Sequence, residues 1–78
     1  MGMSRYYFHI RHGGAFIPDD EGMELKDFQA ARAELLASAA DLAMAEMRAG
    51  RSIGNQTIEI EDAAGRLLDA VPVRHTLH

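Results

Sequence analysis

Apolar positions recur along the chain with two different periods, and each change of period marks a change of element. From Phe28 to Met47 the residues Phe28, Ala31, Leu35, Ala39, Leu42, Ala43 and Met47 follow at three- and four-residue spacing, which on a helix forms one stripe. Glu34, Ser38, Asp41, Ala45 and Arg48 fall on the opposite side, which suits water. Asp27 is a good N-cap, because its carboxylate can accept the unpaired N–H groups of the first turn. Gly50 is placed to take the left-handed conformation that stops a helix, with Arg48 near the negative end of the dipole. The spacing predicts one long helix from Asp27 to Gly50, with no internal Gly or Pro and many low-cost alanines.

Elsewhere the period is two. Arg5 to His12 (RYYFHIRH) is rich in aromatic and β-favouring residues and predicts a first strand. Its alternation sets Tyr6, Phe8 and Ile10 against the helix and Tyr7, His9 and Arg11 on the other face. Gly13-Gly14 is a tight-turn signal, and Ala15-Phe16-Ile17 returns as a short strand cut off by Pro18. Pro18 to Gly22 is a turn by composition, and Met23-Glu24-Leu25 adds a strand stub facing in at Met23 and Leu25. After the helix, Arg51 to Gln56 is a polar loop anchored by Ile53. Thr57 to Asp62 (TIEIED) alternates cleanly, with Ile58 and Ile60 in and Thr57, Glu59 and Glu61 out. Asp62-Ala63-Ala64-Gly65 has the pattern of a type I turn closed by a left-handed Gly. Arg66 to Val73 is the last strand, with two competing phases: Leu67, Val71 and Val73 share a set with Asp69, Leu68 and Ala70 form the other, and a bulge would reconcile them. Pro72 cannot donate to a ladder, so this strand is expected to lie at an edge or to end there, and residues 74–78 are expected to fray.

The predicted fold is α+β, in the order β-β-α-β-β: an antiparallel sheet of three to four strands with one long helix on one face. It is a single domain over residues 1–78, ordered over about 4–73. One helix covers only one face of such a sheet. The other face carries Tyr7, His9 and Arg11, beside Thr57, Glu59 and Glu61 if those strands are neighbours, and these six residues are the candidate interaction face.

At 78 residues the core is near the lower limit for independent stability, so self-association, as a homodimer, is expected. The net charge of −4, from 12 acidic against 8 basic residues, disfavours nucleic acid and anionic membranes, which attract basic faces. The absence of Cys removes disulfide and thiol chemistry and fits a reducing cytoplasm. No apolar run approaches membrane-spanning length, and the first residues are too polar for a signal-peptide core.

His9 and His12 lie three apart on a strand and point to opposite faces, so they cannot share a metal ion; His75 and His78 lie in the tail. The run Asp19-Asp20-Glu21-Gly22 lacks the ligand spacing of a calcium loop and is expected to be a solvated turn. Gly13-Gly14 has no following Lys and is no phosphate loop. Tyr7, His9 and Arg11 share a face that would suit a small acid–base or anion site. The favoured alternative is cross-strand pairing of His9 and Arg11 with Glu59 or Glu61. No catalytic residue, metal ligand or cofactor-binding residue is assigned.

The opening RYYFHIRHG, the segment PDDEGMEL leading into DFQAARAE, and the closing IEIEDAAGRLLDAVP resemble a family of very short alphaproteobacterial proteins of unknown function. The likeness runs from Arg5 to Val73 and its motifs are structural, so it implies a fold and no activity, cofactor or partner. His12 stands where members often carry an acidic residue. Residues from Tyr6 to Leu36 also look like the N-terminal part of HicB-type antitoxins, which implies a regulatory binder of a basic partner protein. The primary expectation is a non-enzymatic, self-associating interaction domain. The antitoxin-like binder is the alternative, and a small-ligand or enzyme site on the open face comes third.

Overall fold

The computed structural model describes residues 2–76. Its centre is β1 (Ser4–His12), the longest strand, which is paired on both edges. Along one edge runs β4 (Thr57–Asp62), with Phe8 opposite Ile60 and Ile10 opposite Ile58. Two short strands share the other edge. β2 (Ala15–Ile17) pairs with Ile10–His12, and β3 (Met23–Leu25) pairs with Ser4–Tyr6. The Met23–Leu25 stub is therefore a full member of the sheet, which has five strands, all antiparallel, where three to four are expected from the sequence. β5 (Leu67–Pro72) closes the far edge against β4.

The ambiguous phase of β5 is resolved by a bulge. Asp69 pairs with Ile60, Leu67 pairs with Glu61, and Leu68 is left between them. Val71 and Asp69 thus turn toward the helix, while Leu67 crosses to the open face. Asp69 is tolerated on the inner side because Arg32 of the helix forms an ion pair with it.

The helix α1 (Phe28–Arg48) has the predicted caps. Asp27 accepts the Ala30 N–H at 2.8 Å. At the other end Gly50 takes φ +71°, the Gly50 N–H bonds Met47 O at 3.1 Å, and the Arg51 N–H bonds Glu46 O at 2.9 Å. This double bond pattern is the Schellman stop.

The buried stripe differs from the predicted one at both ends. Ala31, Leu35, Ala39 and Ala43 are buried and Leu42 is half-buried, but Phe28 at one end and Met47 at the other are exposed, and Glu46 is buried beside Met47. At the C-terminal end the cause is the loop that follows. Arg51 folds back so that its Nε and a terminal nitrogen donate to Glu46 Oε1 at 3.1 and 2.7 Å, and Gln56 donates to Glu46 Oε2 at 3.3 Å. A carboxylate paired in this way can be buried.

Past β5 the chain does not fray at once. Val73–Thr76 forms a 3-10 turn, in which Val73 is fully buried and its N–H bonds Gln56 O at 2.9 Å. Residues 77 and 78 of the expected frayed tail lie outside the described residues.

A helix about 10 Å wide spans roughly two strands spaced about 4.8 Å apart. α1 accordingly lies over β4, β5 and the 3-10 turn. Ile17 and Met23, on the helix side of the β2–β3 edge, stay exposed. The opposite face of the sheet has no layer over it.

Candidate functional site

The open face is organised by the two-residue period of β1 and β4. The ladder sets Tyr7 opposite Glu61, His9 opposite Glu59 and Arg11 opposite Thr57, so the six residues read from the sequence share one surface. The side chains then pair diagonally. Arg11 Nε donates to Glu59 Oε2 at 2.6 Å, and His9 Nε2 meets Glu61 Oε1 at 3.2 Å. Thr57 stands half-buried beside Arg11.

β2 adds an aromatic residue that the sequence reading did not assign to this face. Phe16 pairs with Arg11 across the β1–β2 ladder. Its ring lies 4.5 Å beneath the Arg11 guanidinium carbon and 5.2 Å from the His9 ring, centroid to centroid. Tyr7 stacks on the other side of His9, with centroids 6.3 Å apart and planes 8° apart. The row Tyr7–His9–Phe16 is continuous, with the cation of Arg11 at its end.

His9 is only 7% exposed, although its strand face is open. The cover is the Pro18–Gly22 loop. The Asp19 N–H donates to His9 Nδ1 at 2.9 Å. A ring nitrogen that accepts from a backbone N–H carries no hydrogen of its own, so neutral His9 is protonated at Nε2 and donates there to Glu61. Both ring nitrogens are engaged by the fold.

The Asp19 carboxylate holds the same loop against β1. Its Oδ2 accepts the Phe8 N–H at 3.1 Å, and its Oδ1 accepts Glu21 N–H at 3.2 Å and Gly22 N–H at 3.1 Å. The Phe8 amide lies in the gap between β2 and β3, and Asp19 supplies the acceptor there that a neighbouring strand would otherwise provide. Burial pushes the Asp19 carboxyl up, but the Phe8, Gly22 and Glu21 N–H groups outweigh it and hold the group below the ordinary carboxylate value. The acidic turn is therefore partly buried at Asp19, where the sequence predicts a solvated turn. The composition of Pro18 to Gly22 predicts the turn, but the bond to Phe8 spans eleven residues and has no local signature.

Elsewhere on the surface, a shallow depression of about 560 Å³ lies near the β4–β5 turn, lined by Ser4, Tyr6, Arg66 and Leu68 among others. Its two guanidiniums are both committed. Arg5 bonds Glu24 Oε2 and Glu21 O, and Arg66 bonds Asp62 Oδ2 at 2.9 Å. Among the described residues no cluster of three or more His, Asp or Glu side chains is arranged to hold a metal ion, and no helix is long and apolar enough to cross a membrane.

The sheet edges are blunted. β2 and β3 have three residues each, and β5 is kinked by its bulge, gives the Ala70 N–H to the Asp69 carboxylate at 2.8 Å, and ends on Pro72. Such features oppose strand addition. What the face offers is its surface: aromatic rings, one half-exposed guanidinium and a rim of carboxylates.

No curated protein and no solved structure matches the chain, and the likeness to HicB-type antitoxins is not among what the comparisons show. One family model covers residues 5–74, the span from the start of β1 to the 3-10 turn, so the chain belongs to the family described as Domain of unknown function (DUF6894).

Proposed function

We propose that this chain is a non-enzymatic interaction domain that recognises a basic partner protein through the open face of its sheet. The observation that carries this is the braced row of Tyr7, His9, Phe16 and Arg11. Aromatic and arginine side chains, held rigid before contact, are the groups that dominate protein interfaces. Preorganisation lowers the ordering cost of binding. His9, the group best suited to acid–base chemistry, is buried and bonded at both nitrogens, which supports recognition over catalysis.

Charge selects the partner. The face and its rim carry Asp19, Asp20, Glu21, Glu24, Glu59 and Glu61 against Arg5 and Arg11. Such a field attracts a basic surface and speeds its encounter. It also opposes self-association through this face, because two copies set face to face would bring like charges together.

The test is selection of a random peptide library on the immobilised protein, followed by NMR titration of the winners. Enriched peptides should be rich in Lys and Arg, shift the amides of Tyr7, Phe16, Glu59 and Glu61, and bind more weakly at high salt. Phe16→Ala and Tyr7→Ala should each weaken binding about tenfold or more, the range of an interface anchor. Enrichment of acidic or uncharged peptides that bind on α1 would overturn the proposal.

A further inference from the structure

The outer side of α1 carries a second apolar stripe. Ala33, Leu36, Ala40, Met44 and Met47 follow at spacings of three, four, four and three. Leu36 is 41% exposed, Met44 48% and Met47 56%. The stripe runs about 21 Å along the helix at 1.5 Å per residue. It is unbroken, whereas the exposed Ile17 and Met23 sit at opposite ends of β1, separated by the Pro18–Gly22 loop.

The spacing is symmetric about Ala40. An isologous contact requires that when residue i meets j, j also meets i. A two-fold axis through Ala40 satisfies this: Leu36 meets Met44 of a second copy, Ala33 meets Met47 of that copy, and the small Ala40 side chains sit at the crossing, where the helices approach closest. The mean spacing of 3.5 residues is that of a coiled-coil seam.

Surface area points the same way. The chain exposes 5122 Å² at a mass of 8.6 kDa, where a compact monomer of that mass exposes about 4,700 Å².

We propose that the outer stripe of α1 is the contact surface for a second copy of this chain, packed antiparallel about Ala40. The pair is a four-layer sandwich, sheet–helix–helix–sheet, with both open sheet faces outward. This goes beyond the proposed recognition of a basic partner and does not depend on it, though a dimer would present two such faces at once. The seam is smaller than the 20–30 residues a side of a standard interface, so the association is weak and populated at high protein concentration.

The chain has no Cys, so a single introduced thiol reports its own position. A residue on the axis meets its own copy within disulfide reach, with Cα atoms about 4.4–6.8 Å apart. Under mild oxidation Ala40→Cys should form a covalent dimer at least tenfold faster than Ala45→Cys, on the other side of the helix. Sedimentation equilibrium of the Cys-free chain near millimolar concentration should give a mass above monomer. Leu36→Glu and Met44→Glu should return it to monomer with an unchanged circular dichroism spectrum. Phe16→Ala should leave the mass unchanged and lose only peptide binding, so failure of one proposal is distinguishable from failure of the other. A monomeric wild type, equal cross-linking at the two positions, or a dimer abolished by Phe16→Ala or Ile17→Asp but not by the helix variants would overturn the proposal.

Discussion

Asp19 and Gly22 tie the second turn to the sheet, and they do so by different physics. Asp19→Ala leaves the Phe8 N–H and two turn amides without their acceptor. Water can reach the exposed turn, so the main loss is at the part-buried Phe8 N–H, where an unsatisfied donor costs about 1–3 kcal/mol. The expected outcome is a loss of about 2 kcal/mol in urea titration and faster amide exchange at Phe8. Gly22 has φ +72°, and a Cβ there would lie 2.9 Å from Arg5 Cγ, Tyr6 O and Tyr7 Cε2. Gly13 has φ +62°, and a Cβ there would meet nothing. Gly13→Ala should therefore cost only the left-handed penalty of about 1–2 kcal/mol, while Gly22→Ala should cost clearly more and disturb Tyr7. Equal thermal midpoints for the two variants would refute the role of that close approach.

The helix is held by its stripe rather than by its ends. Leu35 is fully buried, so Leu35→Ala should cost about 2–5 kcal/mol, the range for a buried leucine. Leu42 is half-buried, and Leu42→Ala should cost less. Glu34→Ala and Asp41→Ala, away from the core, should change stability by no more than about 0.5 kcal/mol, measured by the same urea titrations. Glu46 breaks the pattern, because it is a carboxylate at a core-facing position. Glu46→Ala strands Arg51 and Gln56, and it should lower the thermal midpoint and speed exchange in the Arg51–Gln56 loop. Chemical denaturation and hydrogen exchange together separate this local loosening from global unfolding.

For the molecule as a whole, three carboxylates make stability depend on acid. Asp19 is held low by its backbone donors against burial. Glu46 is held low first by the hydrogen bond from Arg51, against burial, with Arg51's charge and Gln56 adding to it. Asp62 is held low first by the Arg66 N–H, against burial, with the Arg66 side chain and Ala64 N–H adding to it. A folded-state value below the unfolded one means that the unfolded chain binds more protons. The stabilisation is then complete above the ordinary carboxylate value of about 4 and is lost as pH falls through the lowered values. The urea midpoint should fall steeply as pH drops below about 4. Asp19→Asn should start lower at neutral pH and fall less steeply. A midpoint that rises on acidification would contradict the assignment of these three groups.

Local pattern was enough for most of the framework. The three-and-four spacing and the Asp27 and Gly50 caps determined the helix. The two-residue alternation of Tyr6–Arg11 and Thr57–Glu61 determined which side chains share a face within each strand, because side-chain direction in a strand depends only on sequence parity; the pairing of β1 with β4 then set the six on one surface. Tertiary structure alone decided the rest. Burial of Glu46 and exposure of Met47 depend on where Arg51 and Gln56 return, and the bulge at Leu68 depends on the pairing with β4. Phe16 joins the face because β2 pairs in register with Arg11, and His9 is buried there because the Asp19 loop folds across it. Each of these rests on a contact between residues distant in sequence or on a loop's path. No local period encodes such a contact, so it is set only when the whole chain packs.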